Sequence, residues 1–279
     1  MSPNYRKLPL YMAITACLAT GSAHAWNGKT FKVCADPNNQ PYSDKKGTGF
    51  ENKIAELLAK EAGKKLEYEW FPQRMGFIRN TLKTQIPDSE EYKCDVIMGL
   101  PKGAEQVATT KPYYTSTYAF VYAKGRGWDD LKSADDLDKL PESRKAKLKM
   151  AMFDGSPATT WLLNHKLVEY SIPFQSMDAD ATISTAQRLE RDMLAGKIDM
   201  AIVWGPMAGY LQHHNKPGSF ELIPMKSEGN ARFEFPMSMG VRIPDKARKQ
   251  ELEGLIDAKA DEIAAILKQY KVPLVEENR

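Results

Sequence analysis

Apolar positions along this chain switch between a period of two and a period near 3.6, and the switches divide it into alternating strands and helices. Residues 31–35 form a short apolar run that predicts a strand. Phe50, Ile54, Leu57, Leu58 and Ala62 then recur at helical spacing and stop at Gly63. Leu66, Tyr68 and Trp70 alternate as in a strand. Residues 74–83 read as a helix, 87–92 as a polar loop and 95–100 as a buried strand. Residues 112–124 are a long aromatic and β-branched run, which predicts a long strand, and the highly charged stretch 125–149 behind it reads as surface. A second series follows, with strands at 149–153, 198–204 and 220–224 and helices at 159–170, 185–194 and 206–213. A second long strand, 233–243, leads into one long amphipathic helix at 245–270.

This alternation argues for an α/β fold with parallel sheets built from strand-helix-strand units. The layout is lobe, long strand, lobe, long strand, then a helix that can pack only on the first lobe. The expected division is 1–25 as an export signal, 26–118 as lobe one, 119–238 as lobe two and 239–279 as the return to lobe one. Two α/β lobes joined by two long strands resemble the type-two periplasmic binding proteins, in which a hinge absorbs rotation of rigid lobes. Ligands in open α/β sheets sit at the carboxyl ends of the strands. Here those ends are the turns 36–42, 71–77, 101–110, 154–160 and 204–207, which should face each other across a cleft.

The first residues say where the chain works. Arg6 and Lys7 precede an apolar run, 8–18, and Ala23-His24-Ala25 precedes Trp26. A positive start, a short apolar core and a small-x-small site make a secretory signal, with cleavage expected after Ala25 and residence in the periplasm. The run falls short of the roughly 20 residues that a membrane span needs. A second reading takes Ile14, Thr15, Ala16 and Cys17 as a lipoprotein box, with lipid on Cys17. The signal holds two positive charges and no acid, so its loss lowers the formal net charge of +3 by two. A nearly neutral protein lacks the electrostatic footprint of a nucleic-acid or anionic-membrane binder. Without Cys17, Cys34 and Cys94 remain, and an even pair in an exported chain favours a disulfide; two buried thiols are the alternative. No Cys/His spacing resembles a metal site, and neither metal nor cofactor is expected.

The candidate cleft residues are Asp36, Asn38, Asn39, Tyr42, Trp70, Arg74, Phe77, Thr110, Tyr113, Tyr114, Ser156 and Trp204. Amino-acid-binding members of the fold carry an Arg shortly before a Pro-Tyr-Tyr segment, paired with the ligand carboxylate. Here residues 103–110 contain no Arg. Those members also carry an Asp after a strand of lobe two, which holds the ammonium, whereas this strand ends in Trp204-Gly205-Pro206. A buried zwitterion without partners costs several kcal/mol, so a free amino acid is not the expected ligand. Aromatic and amide surface suits a carbohydrate-like, aromatic or peptide ligand instead. No catalytic constellation stands out: Gly155-Ser156-Pro157 is not a nucleophile elbow, and Ser156 and Thr159 read as helix caps.

A narrower resemblance lies in the first lobe. The segments CADPNNQPYS, GFENKIAELLA, EWFPQRMGFIRNTL, CDVIMGLP and TTKPYYTSTYAFVY are similar to those of the quinoprotein-dehydrogenase-associated binding proteins. These include the J proteins encoded beside PQQ-dependent methanol dehydrogenases. Residues 71–82 are the most specific block, and the second lobe carries a weaker signature. The resemblance implies an exported accessory protein, not an enzyme, that matures or activates a PQQ-dependent methanol dehydrogenase, of calcium or lanthanide type, through protein contact. In that reading the cleft captures a segment of the dehydrogenase, with Tyr42, Trp70, Arg74 and Trp204 as anchors. Two other classes stay open. One is an uptake receptor of a transporter for a small non-amino-acid solute. The other is a dehydratase-like periplasmic enzyme, which needs a titratable pair such as Asp36 and Glu105 at the cleft mouth.

Overall fold

A computed structural model of the chain describes residues 28–176 and 180–275. The expected export signal and the alternative lipid site at Cys17 lie outside the described residues. The first lobe opens with β1 (Thr30–Ala35), the two-residue strands β2 (Asn38–Asn39) and β3 (Ser43–Asp44), α1 (Phe50–Glu61), β4 (Lys65–Trp70), α2 (Phe77–Asn80) and β5 (Val96–Pro101). The long β6 (Ala108–Ala123) leads to α3 (Glu142–Lys145), β7 (Met150–Phe153), α4 (Pro157–Asn164), β8 (Ser171–Phe174), α5 (Thr185–Leu194), β9 (Met200–Trp204), α6 (Gly205–His214) and β10 (Phe220–Pro224). The chain returns through β11 (Glu234–Val241) and ends in α7 (Lys246–Ala258) and α8 (Ala260–Gln269).

Apart from β2 and β3, which pair only with each other, the strands form one continuous path, β4-β1-β5-β11-β6-β9-β7-β8, with β10 also on β6. Between Thr117 and Tyr118, β6 changes neighbours: up to Thr117 it pairs with β11, and from Tyr118 onward with β9 and β10. One strand thereby belongs to both lobes, and the fold is the two-lobed α/β plan that the alternation predicts.

Period-two geometry sorts the side chains. In β6, Ala119, Val121 and Ala123 enter one apolar layer of the second lobe, and Phe120 and Tyr122 enter the other. In β1, Phe31, Val33 and Ala35 pack under α1, α7 and α8, whereas Cys34 turns to the opposite face beside Phe77, Leu82 and Cys94. There the two cysteines are bonded to each other, tying β1 to the segment just before β5.

Four sequence expectations are corrected. Residues 74–83 form only the four-residue α2: Gly76 stands at φ +86° before it, and the Thr81 hydroxyl donates to the Phe77 carbonyl at its end. The stretch 125–149 is not merely surface, because Trp128, Leu131, Ala134, Leu137 and Leu140 are buried in the second lobe's core. The expected helix 159–170 ends at Asn164, and the unforeseen β8 follows, with Pro173 tolerated because β8 is an edge strand. The terminal helix breaks at Lys259 (φ −120°, ψ 20°), so Leu252 and Ile256 of α7 and Ile263 and Leu267 of α8 all reach one core.

Candidate ligand cleft

Two adjoining cavities lie between the lobes. One, of about 340 Å³, runs from Asn39, Gln40 and Tyr42 of lobe one to Asp154, Ser156 and Trp204 of lobe two. The other, of about 460 Å³, is lined by Tyr42 and Glu51 on one side and Tyr118, Trp204, Phe235 and Met237 on the other. A third hollow, about 70 Å³, holds Asp36, Asn38 and Arg74 opposite Ile183, Ser184 and Thr185. Of the expected residues, Asn39, Tyr42, Ser156 and Trp204 therefore share one wall system, and Asp36, Asn38 and Arg74 sit at its mouth.

The polar groups at the mouth are mostly engaged. Asp36 accepts the backbone N–H groups of Asn38 at 2.8 Å and Gln73 at 2.6 Å, which anchors the loop after β4 to the loop after β1. Asn38 reaches across the cleft and donates its side-chain amide to the carbonyl oxygens of Ala181 and Thr182. Asn39 donates to the Gln73 side chain at 3.0 Å. Ser156 stands at the N-cap of α4, but its side chain makes no capping hydrogen bond, and its buried hydroxyl has no hydrogen-bond partner among the described residues. The capping expectation also fails for Thr159, whose hydroxyl donates to the Phe153 carbonyl at 2.7 Å.

Five expected residues lie off these walls. Trp70 shares a strand face with Tyr68, stacks on it at 4.4 Å and packs against the first lobe's core. Tyr113 and Tyr114 are buried in the same core, in edge contact at 4.8 Å. Thr110 is buried within β6; its hydroxyl donates to the Lys111 carbonyl and accepts the Met239 N–H. Phe77 packs against the disulfide layer. In each case the strand or helix face, which the order of residues leaves open, turned the ring or hydroxyl inward.

Glu51 was not foreseen. It sits in the first turn of α1, where an acid is the ordinary choice for the helix dipole, so its type alone carried no signal. The fold points its carboxyl at the cavity wall instead. The Tyr113 hydroxyl accepts the Gly99 N–H at 3.0 Å and donates to Glu51. Gly99, at φ +67°, leaves the space: a Cβ there would lie 2.1 Å from the Glu51 carboxyl oxygen. Burial pushes the Glu51 carboxyl up to about 8, and the Tyr113 hydrogen bond offsets this only in part. Among the described residues, no Lys, Arg or His lines either of the two main cavities.

No protein-family model matches the chain. It is similar to the periplasmic binding protein XoxJ from Methylobacterium extorquens AM1, at 34% identity and a TM-score of 0.68, covering 88% of this chain and 100% of that one. MxaJ from Methlophaga aminisulfidivorans MPT follows at 28% identity and a TM-score of 0.69, with the same coverage of 88% and 100%. Protein MoxJ of Paracoccus denitrificans is 29% identical over 273 residues, 93% of this chain and 94% of that protein.

Proposed function

Because this chain belongs to the family of periplasmic binding proteins that includes XoxJ and MxaJ, we propose that it is an accessory factor of a PQQ-dependent methanol dehydrogenase. It acts in maturation or activation of that enzyme by direct contact in the periplasm. The observation that carries this reading is the placement of the family-specific block. Within residues 71–82, Gln73 and Arg74 line the inter-lobe hollows, and Met75 beside them is 99% exposed. Arg74 beside it lines both the inter-lobe hollow and a neighbouring depression of about 420 Å³. A fully exposed, adaptable thioether next to a guanidinium is surface chemistry for a protein partner, and it contributes nothing to the core.

The test is capture from native periplasm with the tagged mature chain. A quinoprotein subunit should be enriched, and Met75→Asp should cut that enrichment about tenfold while leaving the melting temperature unchanged. Capture of no quinoprotein subunit overturns the reading, and capture of a permease subunit turns it to an uptake receptor. The dehydratase-like alternative loses its expected pair: Asp36 is held by two backbone N–H groups, and Glu105 is exposed outside the cavities.

A further inference from the structure

The cleft walls combine two features whose chemistry points the same way. The first is charge. The two main cavities carry the carboxyl groups of Glu51, which becomes a carboxylate above about pH 8, and Asp154, and no Lys, Arg or His among the described residues lines them. The second is a set of rings. Tyr118 and Trp204 lie 5.5 Å apart, Trp204 and Phe235 5.9 Å, and Tyr118 and Phe235 6.2 Å, centroid to centroid. All three line the 460 Å³ cavity together with Tyr42 and Glu51. Ring faces attract a cation through their quadrupole, and a nearby carboxylate supplies the countercharge. Phe235 already makes one such contact, with the Arg232 guanidinium 5.0 Å from its centroid, although Arg232 does not line the cavity.

We propose that the cleft is a site for an organic ammonium group that carries no carboxylate of its own, held by Glu51 and the rings of Tyr42, Tyr118, Trp204 and Phe235. An α-amino acid would find a partner for its ammonium but none for its carboxylate, so it is rejected by the second charge. A methylated or alkyl ammonium meets no such obstacle. The group has two chemical sources: a free small amine, or a lysine side chain of a protein segment inserted between the lobes. The inference shares the cleft with the accessory reading but does not need the dehydrogenase. Capture through the rim can succeed while titration of the cleft fails, and the reverse.

Titration calorimetry on the mature chain at about pH 9 tests it with four probes: choline, its uncharged carbon isostere dimethylbutanol, glycine betaine, and lysine blocked at both backbone ends. Choline or the blocked lysine should bind at least tenfold more tightly than dimethylbutanol. Betaine should fall below choline, because its carboxylate lacks a partner. Preference for choline assigns a free amine; preference for the blocked lysine assigns a peptide segment. Glu51→Gln should remove the preference for charge. Equal binding of choline and its isostere, an unchanged preference in Glu51→Gln, or no binding of either cation overturns the proposal. The wild-type comparison decides even if the variant fails to fold.

Discussion

Arg242 and Glu51 show two fates for a charge inside the first lobe. Arg242 is 6% exposed and engaged through both terminal nitrogens: it donates to the carbonyls of Leu82 and Cys94, pairs with Asp95 at 2.9 Å and Asp245 at 2.7 Å, and lies 4.0 Å from the Tyr92 ring centroid. Removing one partner of a buried pair costs about 3–5 kcal/mol, so Arg242→Ala should lower the urea unfolding free energy by about that amount. Among the described residues, Glu51 has no such cation. It is faced by Tyr113 and Tyr114 of β6, Tyr42 of the turn after β2 and Tyr68 of β4, and burial raises the hydroxyl pKa of all four. Because the folded carboxyl holds its proton up to about 8, its contribution to stability is complete below the unfolded value of 4.5 and is lost as pH rises through about 8. Thermal melts between about pH 5 and pH 9 should therefore show wild type losing more stability than Glu51→Gln over that window; parallel slopes would refute the assignment. Cation affinity should move the opposite way and rise over the same window as the carboxylate forms.

Elements are held in place by close approaches more than by their own propensities. The Cys34–Cys94 bond closes a loop with a sequence separation of 60, worth about 4 kcal/mol in the chain-entropy account. The Cys34→Ser/Cys94→Ser double variant should lose about that much in a urea titration. Helix α6 lies so near the end of α8 that a Cβ on Gly209 would stand 2.5 Å from the Lys271 carbonyl oxygen, and one on Gly205 would stand 2.3 Å from that of Thr117. Gly209→Ala should cost about 1–3 kcal/mol by overpacking, read as a fall in melting temperature. Beyond α8 the chain crosses the changeover in β6: the Ser116 hydroxyl donates to the Pro273 carbonyl at 2.6 Å, and the Val275 N–H donates to the Thr115 carbonyl at 3.0 Å. A segment leaving the first lobe thus lies against the strand that joins both lobes.

Taken whole, the molecule is two lobes sharing β6, and one contact across its cleft is the amide of Asn38 on the carbonyls of Ala181 and Thr182. Asn38→Ala should favour a more open arrangement, measured as a larger radius of gyration by small-angle scattering; an identical radius in both proteins would argue that this amide does not hold the lobes. Much of this plan was legible in the residues. The run AFVYA at 119–123 and the strand MAIVW at 200–204 are apolar at nearly every position, the mark of strands covered on both faces, and in the fold they pair with each other. Trp128, Leu131, Ala134, Leu137 and Leu140 were harder: they recur every third residue among many charges, a period belonging to neither α-helix nor strand, and they are nonetheless core, with 134–137 forming a 3-10 turn.

The order of most elements and the two-lobed plan follow from local information, because hydrophobic period and residue type act over a few neighbours, and the even cysteine count favoured the disulfide without settling it. The order of residues also sufficed to exclude a site built on an Arg before the Pro-Tyr-Tyr segment. The composition of the cleft did not follow. Tyr113, Tyr114 and Trp70 turned into the core while Glu51, Tyr118 and Phe235 came to the wall. That choice depends on which strand face the helices α1, α7 and α8 cover, and on the empty space at Gly99 into which the Glu51 carboxyl extends. Such contacts join residues far apart in the chain, so only the packed molecule could decide them.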